Sequence, residues 1–418
     1  MSLLQLQSVL GLAVFTGIAW LLSENRRLFS WRLLAAGIGL QLILALLLLK
    51  VPYIRAALFS LNGLVDALMA ATGAGTSFVF GYLGGGPAPF DVTRPENGLI
   101  LAFQALPLVL VMSALSALLW HWRILPLITS GLSYLLQRSL GIGGAVGLSS
   151  AANVFVGMIE APLLIKPFME RLTRGELFMV MSVGLATVSG TVLILYASVV
   201  EPVVPGALGH ILTASLISLP ASILIARIMV PDEVPEKTGD EASLVRSHYA
   251  SSMDAITKGT ADGLTLLLNI IAMLVVILAL VALVNILLGL LPDMFGAPLT
   301  LQRALGWLFA PLVWCMGISA SEAQIAGQLM GTKTILNEFL AYLDLARLPH
   351  ESLSDRSRLI MVYSLCGFAN FGSVGMVIGA FSVMAPGRRN EVVELAIPSL
   401  IAGTLATSMT GAVIGIIN

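Results

Sequence analysis

The sequence predicts an all-α polytopic membrane protein with eight transmembrane helices, two inverted re-entrant helical hairpins, interfacial helices, and helices that break at mid-membrane. Three observations support this fold class. Of 418 residues, 57% are hydrophobic and only 11% are charged, whereas about a quarter of the residues in a soluble domain are charged. Apolar runs of about 20 residues, the length that crosses a bilayer, recur along the chain. Two other apolar stretches are interrupted by glycine and polar residues, and each is followed by the same sequence of segments.

Complete spans are predicted at 3–22, 33–50, 98–120, 176–199, 209–230, 263–292, 359–385 and 391–417. No basic residue precedes the apolar run of the first span, whereas Arg26, Arg27 and Arg32 follow it. A cleaved signal peptide shows the opposite order, so we expect a retained first span with its N-terminus outside. In this orientation the cytoplasmic loops carry more lysine and arginine than the external loops, which agrees with the positive-inside rule.

Four segments organise the predicted chain. Residues 1–120 hold N-terminal spans and an interfacial region, of which residues 51–97 are expected outside the membrane without an assigned fold. Residues 121–228 hold the first hairpin, the first broken helix and the span that follows. Residues 229–262 are polar, contain proline and carry mixed charge, which is typical of a cytoplasmic linker. Residues 263–418 hold a scaffold helix, the second hairpin, the second broken helix and the last span.

The interrupted stretches 141–167 and 302–345 are each predicted to form a re-entrant hairpin. A short charged loop follows each of them, and then a span broken by small and polar residues, at 184–196 and 365–380. Because three predicted crossings separate the two hairpins, the second must enter the membrane from the opposite face. Paired broken helices expose backbone groups that can bind ions and substrates, so this pattern indicates a secondary transporter.

Two glutamates lie within the predicted hairpins. Glu160 and Glu338 each follow an asparagine, Asn153 and Asn337, in an otherwise apolar context. A carboxylate at the centre of a span costs at least about 2.5 kcal/mol, so it needs a partner or a use. A structural role, either as a helix cap or as the partner of a buried base, explains a single such glutamate as well as ligand binding does. Two glutamates in matching positions of an inverted repeat favour a binding site.

Three other polar residues have an alternative structural explanation. Asn370 and Ser373 lie three apart, so on a helix they share a face and can present an amide and a hydroxyl to a ligand. Hydrogen bonds between helices explain such residues equally well in membrane proteins. Ser319 and Glu322 form an S-x-x-E pattern ahead of an apolar run, which predicts a capping box rather than a binding site.

Other function classes have little support in the sequence. The net charge of −1 gives no attraction to nucleic acid. The two cysteines, Cys315 and Cys366, lie far apart in apolar runs and are expected as small buried side chains. The alternative from another class is an intramembrane enzyme that uses Glu160 and Glu338 as acid and base, but no paired catalytic signature accompanies them. We therefore expect a transporter and not an enzyme.

Several motifs of this chain resemble those of the concentrative nucleoside transporter family of bacteria and animals. They are GTSFVFG (75–81), NVFVG-x-x-EAPLLIKPF (153–168), GWLFAP (306–311), LNEFLAY (336–342), CGFANFGS (366–373) and APGRR (385–389). The resemblance extends along nearly the whole chain. It implies a homotrimer in which a hairpin-bearing transport domain moves against a fixed scaffold. It also implies a multi-pass protein of the plasma membrane, which in a bacterium is the inner membrane.

The resemblance implies a nucleoside substrate and assigns residues to both of its parts. The ribose-binding positions of the family correspond here to Glu338, Asn370 and Ser373. A carboxylate suits this role because it can accept charge-assisted hydrogen bonds from vicinal hydroxyls. Positions that give apolar contact to the base correspond to Val192 and Phe368.

The sequence departs from the family at the tip of the first hairpin. Where the family has Gly-Gln-Thr/Ser-Glu, which binds the base, this chain has Gly157, Met158, Ile159 and Glu160. Methionine and isoleucine remove donors and acceptors that read the edge of the base. We expect relaxed base selectivity, since unpaired polar groups are what reject wrong ligands. A carrier of a modified nucleoside or of another polar solute is therefore the main alternative.

The resemblance also implies sodium as the coupling ion. The side chains of Asn153 and Thr187 and the carbonyls of Val156 and Val188 fall on the family's cation-ligand positions. All four supply oxygen atoms, which hard cations prefer as ligands. A proton-coupled transporter could instead rely on a titrating carboxylate such as Glu160, and the asparagine favours sodium over this alternative. By itself, Asn153 is more typical of a cap at a hairpin tip than of a cation ligand.

Overall fold

The computed structural model of the protein describes residues 2–60, 62–91, 98, 100–232, 238–239, 249–293 and 298–418. Helices form throughout these residues, and no strand occurs among them. The structure therefore confirms the predicted all-α class. Within the predicted linker 229–262, residues 233–237 and 240–248 lie outside the described residues, so its assignment stays a prediction.

The helices are numbered in chain order. The N-terminal part contains α1 (Leu3–Leu21), α2 (Trp31–Lys50), α3 (Pro52–Ser60), α4 (Asn62–Phe80), α5 (Leu101–Gln104), α6 (Leu108–His121) and α7 (Ile124–Leu140). The middle contains α8 (Gly144–Asn153), α9 (Glu160–Leu163), α10 (Arg174–Ala186), α11 (Gly190–Val200) and α12 (Ala207–Met229). The C-terminal part contains α13 (Ser252–Leu288), α14 (Leu301–Cys315), α15 (Ala323–Ile335), α16 (Glu338–Arg347), α17 (Asp355–Leu365), α18 (Phe371–Met384) and α19 (Arg389–Ile417).

Within the described residues, eight helical segments are long and apolar enough to cross a membrane. They are Leu3–Leu21, Trp31–Lys50, Gly63–Gly84, Leu101–His121, Arg174–Val200, Ala207–Met229, Ser252–Leu288 and Pro386–Ile417. Seven of them coincide with predicted spans. The predicted span 359–385 is instead divided into α17 and α18.

The eighth segment corrects the sequence-based expectation for residues 51–97, which were placed outside the membrane without a fold. Gly63–Gly84 is helical and has a mean hydropathy of 1.3, compared with 3.2 for the segment formed by α13. Five glycines, together with alanine, serine and threonine, dilute its apolar signal. Because the segment is rich in small residues, its hydropathy did not indicate a helix long enough to cross a membrane.

A four-helix unit occurs twice in the same order. The first unit consists of a helix pair, α8 and α9, and an interrupted helix, α10 and α11. The second unit consists of a helix pair, α15 and α16, and an interrupted helix, α17 and α18. Glu160 is the first residue of α9 and Glu338 is the first residue of α16, so the two glutamates occupy matching positions.

The two units pack around a common centre. Helix α19 contacts α10, α17 and α18, and α12 contacts α10, α11 and α17 as well as α19. These central helices are mostly buried, whereas α13 packs mainly on α6 and leaves most of its apolar surface exposed. The arrangement therefore places the breaks of both interrupted helices inside the molecule and leaves α13 at its periphery.

Glu322 does not form the predicted capping box. Helix α15 begins at Ala323, after Glu322, and no side-chain bond caps its start. The Glu322 carboxylate instead accepts hydrogen bonds from the backbone N–H of Ser354 (2.6 Å), the hydroxyl of Ser357 (2.6 Å) and the hydroxyl of Ser319 (3.0 Å). The prediction was wrong because the N–H of Ser354 and the hydroxyl of Ser357, at the start of α17, bind this carboxylate in place of the N–H groups at the start of α15.

Candidate functional site

The two interrupted helices meet at their breaks. The backbone N–H of Phe368 donates to the carbonyl oxygen of Thr187, at 3.3 Å. The approach is close, because a Cβ atom at Gly367 would lie 2.9 Å from the carbonyl oxygen of Ala186. The unwound backbone of each helix therefore provides a partner for the other, as buried polar groups require.

A cavity opens beside these breaks, between the turns of the two helix pairs. Its atom-free space, which includes the open mouth, is about 990 Å³. All eight predicted substrate residues line it: Met158, Ile159, Glu160, Val192, Glu338, Phe368, Asn370 and Ser373. The fold thus brings together residues from both repeated units.

Glu338 lies at the polar end of the cavity and is only 4% exposed. The hydroxyl of Tyr196 donates to its Oε1 at 2.6 Å, and the Nδ2 of Asn370 donates to its Oε2 at 3.0 Å. The Oδ1 of Asn370 accepts the backbone N–H of Ser373, at 2.8 Å. Asn370 therefore caps the start of α18 and holds the carboxylate at the same time.

The arrangement of Asn370 and Ser373 differs from the predicted shared helix face. Asn370 precedes α18 in an extended conformation, and Ser373 is the third residue of that helix. The two residues are joined by the cap bond from the Ser373 N–H to the Asn370 side chain, and their side chains do not lie side by side on one helix. Because each carboxylate oxygen of Glu338 can accept more than the one bond described, it retains capacity for hydroxyl donors of a ligand.

The opposite end of the cavity is mainly apolar. Met158 and Val192 are 6% and 4% exposed, and the ring of Phe368 is half-buried. Glu160 is exposed where the cavity opens. Gly157 has a φ of +114°, and a Cβ atom there would lie 2.9 Å from Oε2 of Glu160. Only glycine suits this turn, which sets the direction of the Glu160 side chain.

The side chains of two predicted cation ligands touch each other. The Nδ2 of Asn153, the last residue of α8, donates to the Oγ1 of Thr187 and to the carbonyl oxygen of Val183 (3.2 Å). The Oδ1 of Asn153 is buried and has no hydrogen-bond partner in the described part of the chain. A buried oxygen without a donor is well suited to a hard cation.

The remaining predicted cation ligands lie on either side of this contact. Val156 belongs to the turn between α8 and α9 and lines the cavity. Val188 is buried within the break of the first interrupted helix, where its N–H donates to the Oγ of Ser215 at 3.4 Å. Among the residues that the structure describes, no cluster of three histidine, cysteine or acidic side chains could hold a transition metal.

Five polar residues that were not predicted from the sequence also line the cavity: Ser189, Thr191, Tyr196, Asn269 and Asn337. Asn269 lies in the apolar stretch LTLLLNIIAM of α13, and a lone amide in such a stretch is a detectable signal. Tyr196 carries no comparable signal, since tyrosine is common in apolar helices. Asn337 caps α16 by accepting the N–H of Leu340 at 2.9 Å.

The long apolar helices and the cavity between two interrupted helices define a membrane transporter. Comparison with known families agrees. The Na+ dependent nucleoside transporter N-terminus matches residues 10–83, the nucleoside recognition Gate matches 102–203, and the Na+ dependent nucleoside transporter C-terminus matches 210–415. The three matches together cover most of the chain.

Two bacterial relatives match over nearly their full lengths, and a longer human relative matches over part of its length. An uncharacterized transporter of Haemophilus influenzae is 36% identical, with 98% of this chain and 97% of the relative covered. The nucleoside permease NupC of Helicobacter pylori is 35% identical, with the same coverage. Human solute carrier family 28 member 3 is 32% identical over 99% of this chain and 60% of its own length.

Solved structures of the transporter CNTnw have the same fold. An inward-facing, substrate-bound state matches with a TM-score of 0.89 at 35% identity, covering 99% of this chain and 98% of the other. A variant in an outward-facing state matches with a TM-score of 0.90 at 35% identity, covering 99% and 97%. The chain therefore belongs to the concentrative, Na+-dependent nucleoside transporter family.

The Tyr196 hydroxyl provides a test of how Glu338 is positioned. In Tyr196→Phe the carboxylate loses one donor, so we expect nucleoside affinity to fall about 10-fold or more, because a hydrogen bond to a charged group contributes about 1.5–3 kcal/mol. Tyr342→Phe is the matched control, since that hydroxyl donates to the carbonyl oxygen of Val362 instead. Equal uridine dissociation constants for both variants would contradict the role of Tyr196.

Proposed function

We propose that the protein imports nucleosides together with sodium ions by alternating access. The observation that carries this proposal is the buried carboxylate of Glu338, held by Tyr196 and Asn370 at the crossing of the two interrupted helices. A buried carboxylate with spare acceptor capacity suits a neutral solute that carries adjacent hydroxyl groups. The membership of the chain in a nucleoside transporter family supports the choice of solute.

The ribose subsite consists of Glu338, Asn370 and Ser373. Each ribose hydroxyl donates to the Glu338 carboxylate, and the charge of that group strengthens both bonds relative to a neutral acceptor. Asn370 fixes the carboxylate from one side while its own Oδ1 is used by the cap bond to Ser373. The subsite is therefore organised before the solute arrives, which lowers the entropy cost of binding.

The base subsite consists of Met158, Ile159, Glu160, Val192 and Phe368. Its apolar side chains contact the faces of the base, and Glu160 is its one ionisable group. Without the amide and hydroxyl of the usual family segment, it discriminates weakly among base edges. The same apolar lining favours a second candidate substrate, a nucleoside whose base carries an apolar modification.

The sodium site consists of the side chains of Asn153 and Thr187 and the carbonyls of Val156 and Val188. The unpartnered Oδ1 of Asn153 supports this assignment, because a cation would supply the positive charge that this buried oxygen lacks. Sodium, when bound, links the turn of the first helix pair to the break of the first interrupted helix. Since that turn also carries Met158 and Glu160, ion binding orders the base subsite.

In the membrane, the two helix pairs act as re-entrant hairpins that enter from opposite faces and gate the cavity. The interrupted helices then place their breaks near mid-membrane, where irregular backbone is tolerated only beside a cavity or inside protein. Exposed apolar side chains such as Val275 (65%) and Ile286 (67%) on α13 face lipid or a neighbouring subunit. The proposed assembly is a homotrimer in the plasma membrane, the inner membrane of a bacterium.

Glu338→Gln tests the ribose subsite. The amide removes the charge and one acceptor, so we expect uridine uptake by proteoliposomes to fall at least about 10-fold, the loss of one charge-assisted bond. Glu351→Gln is the control, because this side chain is exposed on the loop after α16. Elution on size exclusion should match the unaltered protein for both variants. Full uptake by Glu338→Gln would refute the ribose assignment.

The double substitution Met158→Gln with Ile159→Thr tests the base subsite. Restoring an amide and a hydroxyl should sharpen the preference among bases by about 10-fold or more, since a hydrogen-bonding site penalises ligands that leave it unpaired. A competition panel of natural and base-modified nucleosides against labelled uridine measures this preference. Met376→Gln, elsewhere in the cavity lining, is the control for added polarity. An unchanged profile of the double variant would show that residues 158 and 159 do not contact the base.

A further inference from the structure

Lys333 is a buried cation that the proposed transport mechanism does not use. It lies in the last turn of α15 and is fully buried. Its ammonium donates to the carbonyl oxygen of Ser364 at 2.7 Å and to the Oγ1 of Thr407 at 2.9 Å. No carboxylate of the described residues lies within 4.0 Å of it. The ammonium is thus held by uncharged oxygens, the ligand type that binds sodium.

The place of Lys333 in the second unit matches that of Asn153 in the first. Both residues lie in the last turn of the first helix of a pair, α15 and α8. Both side chains cross to the last turn of the following interrupted helix, at the carbonyl oxygens of Ser364 and Val183.

The residues that cap the ends of α10 and α17 have similar spacings from the two glutamates. Thr187 is the C-cap of α10 and follows Glu160 by 27 residues, and Cys366 is the C-cap of α17 and follows Glu338 by 28 residues. The last carbonyls of a helix carry partial negative charge and lack intrahelical donors. Each unit therefore presents the same electronegative helix end to the first helix of its pair.

The charges of the transport core are consistent with this correspondence. Glu160 and Glu338 are the ionisable acids that line the cavity. Lys333 and Glu338 belong to the same helix pair of the second unit, and Lys333 is fully buried. It supplies a tethered positive charge to that unit, whereas no lysine or arginine of the described residues lines the cavity beside Glu160. The first unit therefore depends on a mobile cation.

The geometry points to Lys333 as a tethered cation that takes, in the second unit, the position of the coupling ion in the first. The carrier consequently moves one sodium ion with each nucleoside. This inference rests on the proposed sodium site at Asn153 and Thr187. The ammonium also caps the end of α17 in every step of the cycle, whereas the end of α10 is capped only while sodium is bound.

The unaltered protein gives the first test. In proteoliposomes with equal sodium on both sides, a potential of about 60 mV, negative inside, should accumulate uridine about 10-fold if one charge moves and about 100-fold if two charges move. We expect about 10-fold accumulation. About 100-fold accumulation would overturn the inference, because it would require a second mobile ion.

Two variants test the position itself, with sodium as the probe and no nucleoside present. Lys333→Ser opens the site and leaves oxygen ligands, so the slope of stabilisation against the logarithm of sodium concentration should rise to about twice that of the unaltered protein, because each bound ion contributes its own term. Lys333→Met is the matched control, because its chain fills the space without a charge and should keep the slope of the unaltered protein. A sodium curve for Lys333→Ser that matches the unaltered protein would overturn the inference.

The outcomes separate this inference from the proposed function. If sodium neither stabilises the unaltered protein nor drives uridine uptake, the proposed function fails. If sodium does both, but two charges move per uridine or Lys333→Ser gains no second ion, the tethered-cation inference alone fails. The charge measurement needs no variant, so the inference stays testable even where Lys333→Ser does not fold.

Discussion

The contact between the two unwound helix segments is the constraint on which the rest of the structure depends. The hydrogen bond from the N–H of Phe368 to the carbonyl oxygen of Thr187 joins two backbones that have left their helices inside the molecule. In a membrane, backbone groups without partners are tolerated only where protein or a cavity receives them. The breaks therefore have to lie against each other, and Gly367 permits the necessary approach. Four helix ends then converge on one small volume, with the turns of both helix pairs beside them.

This convergence explains why polar side chains can be buried here. Asn370 caps α18 and at the same time holds Glu338, and Lys333 serves the end of α17. In the proposed mechanism, sodium supplies a positive charge to the carbonyl end of α10, as the Lys333 ammonium does at the end of α17. Because one turn separates Asn153 from Glu160, the proposed ion site and the proposed base subsite share one short segment. Two ligands are coupled when both bind one conformation of a shared element more tightly than the other conformation.

Much of this architecture could be predicted from the sequence, because its signals are local. Apolar runs of sufficient length indicated seven of the candidate spans, and the twice-repeated interrupted pattern indicated the two units. The selected substrate residues all line one cavity, but that selection came from resemblance to a family. Spacing alone left structural explanations open for Glu160, Glu338 and Asn370.

The features that could not be predicted depend on composition close to a threshold or on tertiary contacts. Gly63–Gly84 has the lowest hydropathy of the candidate spans, since glycine contributes length without apolar character. Glu322 satisfies donors from α17, whose position no local pattern specifies. The part played by Tyr196 follows from the packing of α11 against α16, which brings its hydroxyl to Glu338.

The most direct test of the account is uptake of labelled uridine and adenosine by proteoliposomes under an inward sodium gradient, an inward proton gradient, or neither. The account predicts that both nucleosides accumulate only with the sodium gradient, because the ion and the solute share the turn between Asn153 and Glu160. Accumulation with the proton gradient alone, or with no dependence on either gradient, would contradict it.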